Sequence, residues 1–593
     1  MVLVQLDAEL TSLISALDAS ASGRSTLVLV EGAVGCGKSE FLETATCLAV
    51  GRGALVLRAF GDGRERGRPL GVLAQLAHGA RQAGAGLALP AEPEDAGRVE
   101  ALQAFAAEVH RLAENRPVVV CVDDLHQVDD VSRLHLLHLA RGSRSVPLLL
   151  LYATALPLGP GDPLTDTELL RQPHLERIRL GRLGLPSVRA LLENRTEAEA
   201  DRLHQVSGGN PLLLRALSQD PQGRPGGHYA QAVLACLRRC GPVTEQVARA
   251  VAVLDGHGTP DLVAQLAGVG PAAVTRVGAA LTAAGLLDGG RLCHPAARTA
   301  VLEDMDADAL RALRRRAGLL AHQVGAPTAV IAAQLLGAGH ADEEWAPAVL
   351  LSAAGQFLAD GSPAQAAECL ELAYEASPDQ AHREEMRIRL AAVATRTDPA
   401  AAEAHLAEPL RAVRAGGAAR PWLAALARAL AAQGRIEESV EVLGRIAPRP
   451  GAREPATAER RPDPLDGLSA FPQWAADWSA PARADGQGRT PREGTHPAAL
   501  WAVPEARGGA AHAAELYLRG VALTDDTVAP VVQALRAVLY SGGPDQAVPW
   551  CEVFAARSEQ RGAAGWYAAF AGLLAEARMR LGDLEAAAAA LWC

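Results

Sequence analysis

The stretch LVLVEGAVGCGKSEFLETA, Leu27–Ala45, decides how the rest of the chain is read. An apolar run feeds a glycine-rich turn, and an amphipathic helical pattern comes after it. Within it Gly32 to Ser39 spells G-x-x-x-x-G-K-S, the spacing of a phosphate-binding loop. Gly32, Gly35 and Gly37 let the backbone take conformations closed to other residues, so that successive N–H groups can turn inward around a phosphate. Lys38 can neutralise the β- and γ-phosphates, and the Ser39 hydroxyl can ligate Mg²⁺. A helix opening at about Lys38 adds its positive end. The nucleotide-binding set read from this loop is Gly32, Gly35, Cys36, Gly37, Lys38, Ser39 and Glu40. A glycine-rich turn that binds nothing is the bland alternative; the strand before the motif and the helix after it favour nucleotide.

A second run, PVVVCVDDLHQVDD, completes the first. Five apolar residues, Val118 to Val122, read as a buried parallel strand, with Asp123 and Asp124 emerging at its carboxyl end, where ligands sit in an open parallel sheet. This is a Walker B pattern: Asp123 to hold Mg²⁺ and Asp124 to orient or deprotonate the attacking water. A strand ending in a solvated Asp-Asp turn would look the same in isolation, and the full Walker A upstream decides between them. His126 and Asp129 are read as shaping the turn or as capping and surface residues.

The chain has 593 residues, too many for one core, and about three to five domains are expected. Hydrophobic residues make up 49% but aromatics only 4%, and long Ala/Leu/Arg/Glu stretches favour helical layers over β-sandwiches. A net charge of −11 supplies no global positive field for nucleic acid. The nine cysteines are scattered, which suits reduced thiols and a cytoplasmic location. Cys236 and Cys240 lie one helical turn apart, but they lack the further ligands a zinc site needs. No secretory leader is read at the amino terminus, and the longest apolar run, around Val146–Leu151, has strand length and not membrane length.

In chain order, a helix over Leu6–Leu17 precedes the first strand and is expected against the nucleotide's base. Strands over Ala54–Ala59, Val118–Val122, Pro147–Ala153 and Leu175–Leu180 alternate with helices over Pro69–Ala83, Ala101–Asn115 and Ser132–Ala140. That alternation predicts a doubly wound parallel sheet, an α/β P-loop NTPase core of the AAA type over residues 1–183. From 184 to 235 the pattern is that of a helical lid, with a Ser-Gly-Gly-Asn-Pro turn at Ser207–Pro211. Residues 236–305 read as a winged helix, three helices and then the hairpin-like GLLDGGRLCHP. Its recognition helix, PAAVTRVGAALTAAG, carries Arg276 as its one cation, so an internal role is favoured and no direct DNA binding is expected. Residues 306–448 and 510–593 carry TPR-like helical repeats such as LADGSPAQAAECLELAYEASP and LYSGGPDQAVPWCEVFAAR, with a plain bundle as the alternative. Residues 449–509, rich in Pro, Arg and Gly, read as a linker whose Trp474, Trp478 and Trp501 suggest local docking.

Taken together, VLVEGAVGCGKSEFL, VVVCVDDLHQVD, SGGNPLLL and RLCHPAARTAVLEDM resemble the large ATP-binding regulators of the LuxR type, among the signal-transduction ATPases with numerous domains (STAND). The resemblance implies that His294 contacts the nucleotide's phosphate in a closed, inactive form and that Pro211 lies near the adenine. It also implies ATP as the nucleotide, an unknown inducer or partner protein on the helical repeats, and output through transcription. The chain differs from that pattern in three places. VQLDAEL lacks a Gly-Arg pair, Leu156 stands where an arginine usually senses the γ-phosphate, and LEAAAAALWC is not the family's helix-turn-helix. The expectation is an ATP/ADP switch with Mg²⁺ and slow hydrolysis, with no membrane partner and with oligomerisation on ATP binding left open. A metabolic P-loop kinase or ATPase subunit and a nucleotide-free helical scaffold are the competing readings; no substrate pocket with a mobile basic lid supports the first, and two intact nucleotide motifs oppose the second.

Overall fold

The computed structural model describes residues 7–90, 98–142, 146–155, 168–169, 171–192, 195–377, 380–397, 399–416, 423, 425–427, 429–430, 433, 435–445, 510–524 and 527–592. The expected linker at 449–509 with its three tryptophans, and Leu156, lie outside the described residues.

Strands β1 (Thr26–Gly32), β2 (Leu55–Phe60), β3 (Val118–Asp123), β4 (Leu148–Ala155) and β5 (Leu175–Leu180) form one parallel sheet in the order β2-β3-β4-β1-β5. Burial explains the two kinds of strand sequence. The central strands β1, β3 and β4 are covered on both faces and read as continuous apolar runs. The edge strand β2 alternates, with Leu55, Leu57 and Ala59 buried and Arg58 and Phe60 exposed.

Helices α1 (Asp7–Ala21) and α2 (Lys38–Gly51) cover one face, where Leu13, Leu17, Phe41 and Leu42 pack with Val28 and Val30 of β1. On the other face lie α3 (Gly71–Gln82), α4 (Arg98–Asn115) and α5 (Asp130–Gly142), whose Leu73, Leu76, Val109 and Leu136 meet Leu27 and Leu29. Alternate residues of one strand thus fill two separate cores, which is the three-layer solution that strand–helix alternation predicts.

Beyond the sheet come α6 (Leu185–Leu191), α7 (Glu197–Ser207), α8 (Pro211–Gln219) and α9 (Gly227–Arg239). Next are α10 (Pro242–Leu254), α11 (Pro260–Ala267), α12 (Pro271–Ala283), the hairpin β6 (Leu287–Asp288) and β7 (Arg291–Leu292), and α13 (Pro295–Glu303). This is the winged-helix order. The helix α9 has no counterpart in the elements read from sequence, and the expected division between lid and winged helix at 235/236 falls inside it. Ala33 and Val34 of the phosphate loop belong to the same apolar cluster as these helices, so lid and winged helix share a core with the loop.

The remaining described elements are helices: α14 (Ala307–Gln323), α15 (Thr328–Ala338), α16 (Ala346–Ala359), α17 (Pro363–Ala376), α18 (Gln380–Thr397), α19 (Pro399–Arg414), α20 (Ile436–Gly444), α21 (Ala510–Gly520), α22 (Val528–Ala537), α23 (Pro544–Gln560), α24 (Ala564–Arg580) and α25 (Leu584–Trp592). Successive helices pair, α16 on α17, α18 on α19 and α23 on α24, with small residues such as Ala353 and Ala366 fully buried. The chain divides into two compact units, Met1–Leu320 and Ala321–Cys593. Among the described residues no single helix is long and apolar enough to cross a membrane.

Candidate nucleotide-binding site

The loop after β1 wraps the amino terminus of α2, with Gly37 as the cap and Lys38 as the first helical residue, where the sequence placed it. The Lys38 side chain is 7% exposed, and its Nζ donates to the carbonyl oxygens of Gly32 (3.0 Å) and Ala33 (2.9 Å). The ammonium is thus held inside the loop, where a phosphate oxygen can replace a carbonyl as its acceptor. Cys36 is buried beneath the loop, and burial raises its thiol pKa, so its side chain serves packing while its backbone belongs to the loop. Glu40 is exposed in the first turn of α2, a favourable place for a negative charge.

Walker A and Walker B meet directly. Ser39 Oγ donates to Asp123 Oδ2 at 2.6 Å across 84 residues of sequence, and Asp123 Oδ1 accepts the Asp124 N–H at 2.9 Å. A hydroxyl and a carboxylate side by side are the hard oxygen ligands that Mg²⁺ takes when phosphate and water supply the rest. Among the described residues no group of three or more His, Cys, Asp or Glu could hold a metal ion.

Asp124 sits just past β3 with φ 49° and ψ 50°, a left-handed conformation rare for a residue other than glycine. Burial, and then the neighbouring Asp123, raise its carboxyl pKa, while the charges of His126, Lys38 and Arg239 act in the other direction. Burial likewise lowers the pKa of His126, whose Nδ1 accepts a long 3.4 Å bond from the Ala155 N–H at the end of β4. Asp129 is structural: its carboxylate accepts from the N–H groups of Leu70 (3.0 Å), Val72 (3.4 Å) and Ser132 (2.8 Å), tying the starts of α3 and α5 together.

The Gly-Asn-Pro turn closes over this loop. Asn210 is 1% exposed and uses its whole hydrogen-bonding capacity. Its Nδ2 donates to Val34 O of the phosphate loop (3.0 Å) and to Ala284 O at the end of α12 (2.8 Å). Its Oδ1 accepts from the N–H groups of Leu212 (3.0 Å) and Leu213 (3.3 Å), capping α8. Leu212 N–H donates onward to Gly35 O at 3.2 Å. Gly35, at φ 77°, has no room for a side chain, since a Cβ there would stand 2.6 Å from Asn210 Oδ1. Pro211 is the first residue of α8 and so lies beside the loop.

His294 caps α13, its Nδ1 accepting the Ala296 N–H at 3.1 Å, and its ring meets Tyr229 edge-on at 6.3 Å. A ring nitrogen that accepts carries no proton, so the neutral ring holds its proton on Nε2; burial lowers its pKa and favours that form. The phosphate-site charges reach a different element: Cys240, just past α9, is pushed up to about 12 by burial, with Lys38 and Asp124 acting on it in opposite directions.

Sequence reading missed Asn210, whose partners lie 176 and 74 residues away and whose motif position reads simply as a turn. It also missed Glu31, 8% exposed at the end of β1, which accepts from Arg177 Nη2 (2.7 Å) and Arg179 Nε (3.3 Å) on β5. The acid breaking the run LVLVEG and the two arginines alternating in LERIRL were the available signal. Asp220 is a third: 4% exposed, it accepts from the N–H groups of Gly226, His228 and Tyr229 and anchors the start of α9.

The AAA ATPase domain model matches residues 2–151, the segment that carries both Walker motifs, and the chain therefore contains an AAA-type ATPase domain. No curated protein matches the chain. Among solved structures, a STAND protein with a tetratricopeptide repeat sensor from Pyrococcus horikoshii is similar at 12% identity and a TM-score of 0.30, over 99% of this chain and 82% of that one. The ORC2 protein of Aeropyrum pernix, solved in ADPNP–ADP complexes, is similar at 14% identity and a TM-score of 0.30, over 51% of this chain and 95% of that one.

Proposed function

We propose that the protein is a nucleotide-operated conformational switch of the STAND type, in which the occupant of the phosphate loop sets whether the winged helix stays docked on the ATPase core. The observation that carries this reading is Asn210, one buried side chain bonded at once to the phosphate loop, to the lid helix α8 and to the end of the winged-helix element α12. A shift of Val34 on nucleotide exchange cannot leave that side chain satisfied at both ends, because each of its donors and acceptors is already used.

In this reading ADP holds the closed arrangement, with His294 donating from Nε2 to a phosphate oxygen and Pro211 beside the base. ATP with an inducer opens it. Lys38 and the Gly32–Ser39 backbone bind the phosphates, Ser39 and Asp123 hold Mg²⁺, and Asp124 orients the attacking water so that slow hydrolysis resets the switch. A near-complete switch needs the two forms to differ roughly 10⁴-fold in affinity for their ligands. The helical repeats would read the inducer or partner protein. An open groove of about 520 Å³ between α17, α18 and α19, lined by Ser362, Pro363, Glu371, Leu390, Val393 and His405, is where such a ligand would be sought first. Output through transcription, as in LuxR-type regulators, completes the proposal.

Calorimetric titration of ATP and ADP in Mg²⁺ tests the first step. Wild-type protein binds both and Lys38→Ala loses at least about 100-fold in affinity, as removal of a buried phosphate-binding cation requires; equal binding by the two proteins would contradict the reading.

A further inference from the structure

Facing helices in a well-packed protein meet with side chains filling the space between them. Between α17, α18 and α19 small residues stand where larger ones would do that: Ala364 and Ala367 on α17, Ala394 on α18 and Ala401 on α19. The open groove of about 520 Å³ that they border is within the size range of sites that hold one small organic molecule. Each helix presents a stripe to it at helical spacing, with Ala367 and Glu371 on α17, Leu390 and Val393 on α18, and Ala401 and His405 on α19.

The lining has two kinds of surface. Leu390 and Val393, 6% and 3% exposed, belong to the apolar core of these helices and give the groove an apolar floor. Its polar groups are those of Ser362, Gln365, Glu371 and His405, and among the described residues no lysine or arginine lines it. Glu371 is exposed, and among the described residues its carboxylate has no hydrogen bond or ion-pair partner. His405 adds no positive charge: burial, and then the charge of Arg387, lower its pKa against the pull of Glu371, so the ring is neutral at neutral pH. Arg387 is engaged elsewhere. Its Nη2 donates to the Tyr374 hydroxyl at 2.8 Å, its guanidinium lies 5.0 Å over the Tyr374 ring, and it is ion-paired with Glu408. The groove therefore offers an apolar bed and one unopposed negative charge on its wall.

We propose that this groove binds a small molecule with an apolar body and a primary ammonium group, the body on Leu390 and Val393 and the ammonium beside the Glu371 carboxylate. This names the chemical class of the inducer, and so rests on the reading of the helical repeats as the part that senses it. Burial divides the roles. Apolar area on a buried floor supplies most of the affinity, while a carboxylate on an exposed wall, screened by water, supplies selectivity for charge. An ammonium has three donors, and the neutral His405 ring, within electrostatic reach of Glu371, offers a second acceptor. An anionic ligand would meet the Glu371 charge with no cation in the described lining to offset it.

Three probes of similar shape and different charge test this on the full chain: phenethylammonium, neutral phenethyl alcohol and anionic phenylacetate, each titrated by ligand-observed NMR at low salt. The ammonium is expected to bind saturably, with a dissociation constant on the order of millimolar for so small a probe. It should bind about three- to tenfold tighter than the alcohol, with the carboxylate weakest. Glu371→Gln should abolish that preference and leave the alcohol within about twofold of wild type. Ala401→Leu, which puts a larger side chain on an exposed wall of the groove, should weaken ammonium and alcohol alike by at least about fivefold. Both substitutions are at exposed positions, and unchanged melting temperatures verify that the variants are folded. The proposal is overturned if the ammonium does not bind saturably, if the alcohol or the carboxylate binds as well as it does, if Glu371→Gln keeps the preference, or if Ala401→Leu leaves binding unchanged. Failure of the ammonium to bind while ATP and ADP bind in a Lys38-dependent way overturns this proposal and leaves the nucleotide switch standing. The expected binding pattern with no effect of the ammonium on ATP or ADP affinity supports the amine site and counts against the inducer reading instead.

Discussion

Asp124, proposed above to orient the attacking water, has an unusual setting. It is held left-handed at φ 49°, half-buried, and beside a second carboxylate that is bonded to Ser39. Backbone strain of this kind persists where the surroundings over-determine it. Asparagine tolerates the left-handed region and has nearly the same shape, so Asp124→Asn removes the charge without moving the turn. That substitution should keep ATP affinity within a few-fold and lower the steady-state rate of phosphate release by at least about 100-fold; a rate unchanged from wild type would take Asp124 out of the water-orienting role. The meeting of Ser39 with Asp123 was foreshadowed in the sequence because the two motifs fix residue type and interval. Asn210 was not, because its cap bonds to Leu212 and Leu213 are local and ordinary while its bonds to Val34 and Ala284 exist only in the folded chain.

At the scale of elements, the turn after α7 and the turn after α12 approach as bare backbone. Gly208 has φ 59° and Gly285 φ 73°; a Cβ on Gly208 would stand 2.3 Å from Gly285 O, and one on Gly285 would stand 2.6 Å from Gly208 O. The contact brings the lid to within reach of Ala284, the residue whose carbonyl Asn210 bonds. Gly289, in the β6–β7 hairpin, also has a positive φ, 53°, but open space around its Cβ position. Gly285→Ala should therefore cost about 1 kcal/mol for the backbone and more for the collision, whereas Gly289→Ala should cost the backbone share alone. In thermal melts the first should unfold several degrees below the second; equal melting temperatures would mean the two turns are not in close contact. Strand positions were legible because buried parallel strands read as apolar runs between turn signals, and Leu175–Leu180 was placed to the residue. The helix α9 escaped notice although Tyr229, Ala232, Val233, Cys236 and Leu237 repeat at helical spacing. Its Gly-Arg-Pro-Gly-Gly approach reads as loop, and only the buried Asp220 carboxylate, bonded to three backbone N–H groups, shows what starts the helix.

For the whole molecule, the order of parts along the chain, sheet, lid, winged helix and helical repeats, comes from periodicity and turn chemistry. What periodicity cannot give is that Ala33 and Val34 of the phosphate loop lie in the hydrophobic core of the lid and winged helix and not in either core of the sheet. That shared core turns a nucleotide site into a candidate switch, because a change at the loop must be felt in the packing beyond it. The measurement that tests this most directly is amide hydrogen exchange of the full chain, monitored over α12 and the β6–β7 hairpin, with ADP and then with the β,γ-imido triphosphate analogue bound in Mg²⁺. Docking controlled by the nucleotide predicts that these segments are protected with ADP and exchange measurably faster with the triphosphate. Identical protection in the two nucleotide states, with binding of both verified, would contradict it.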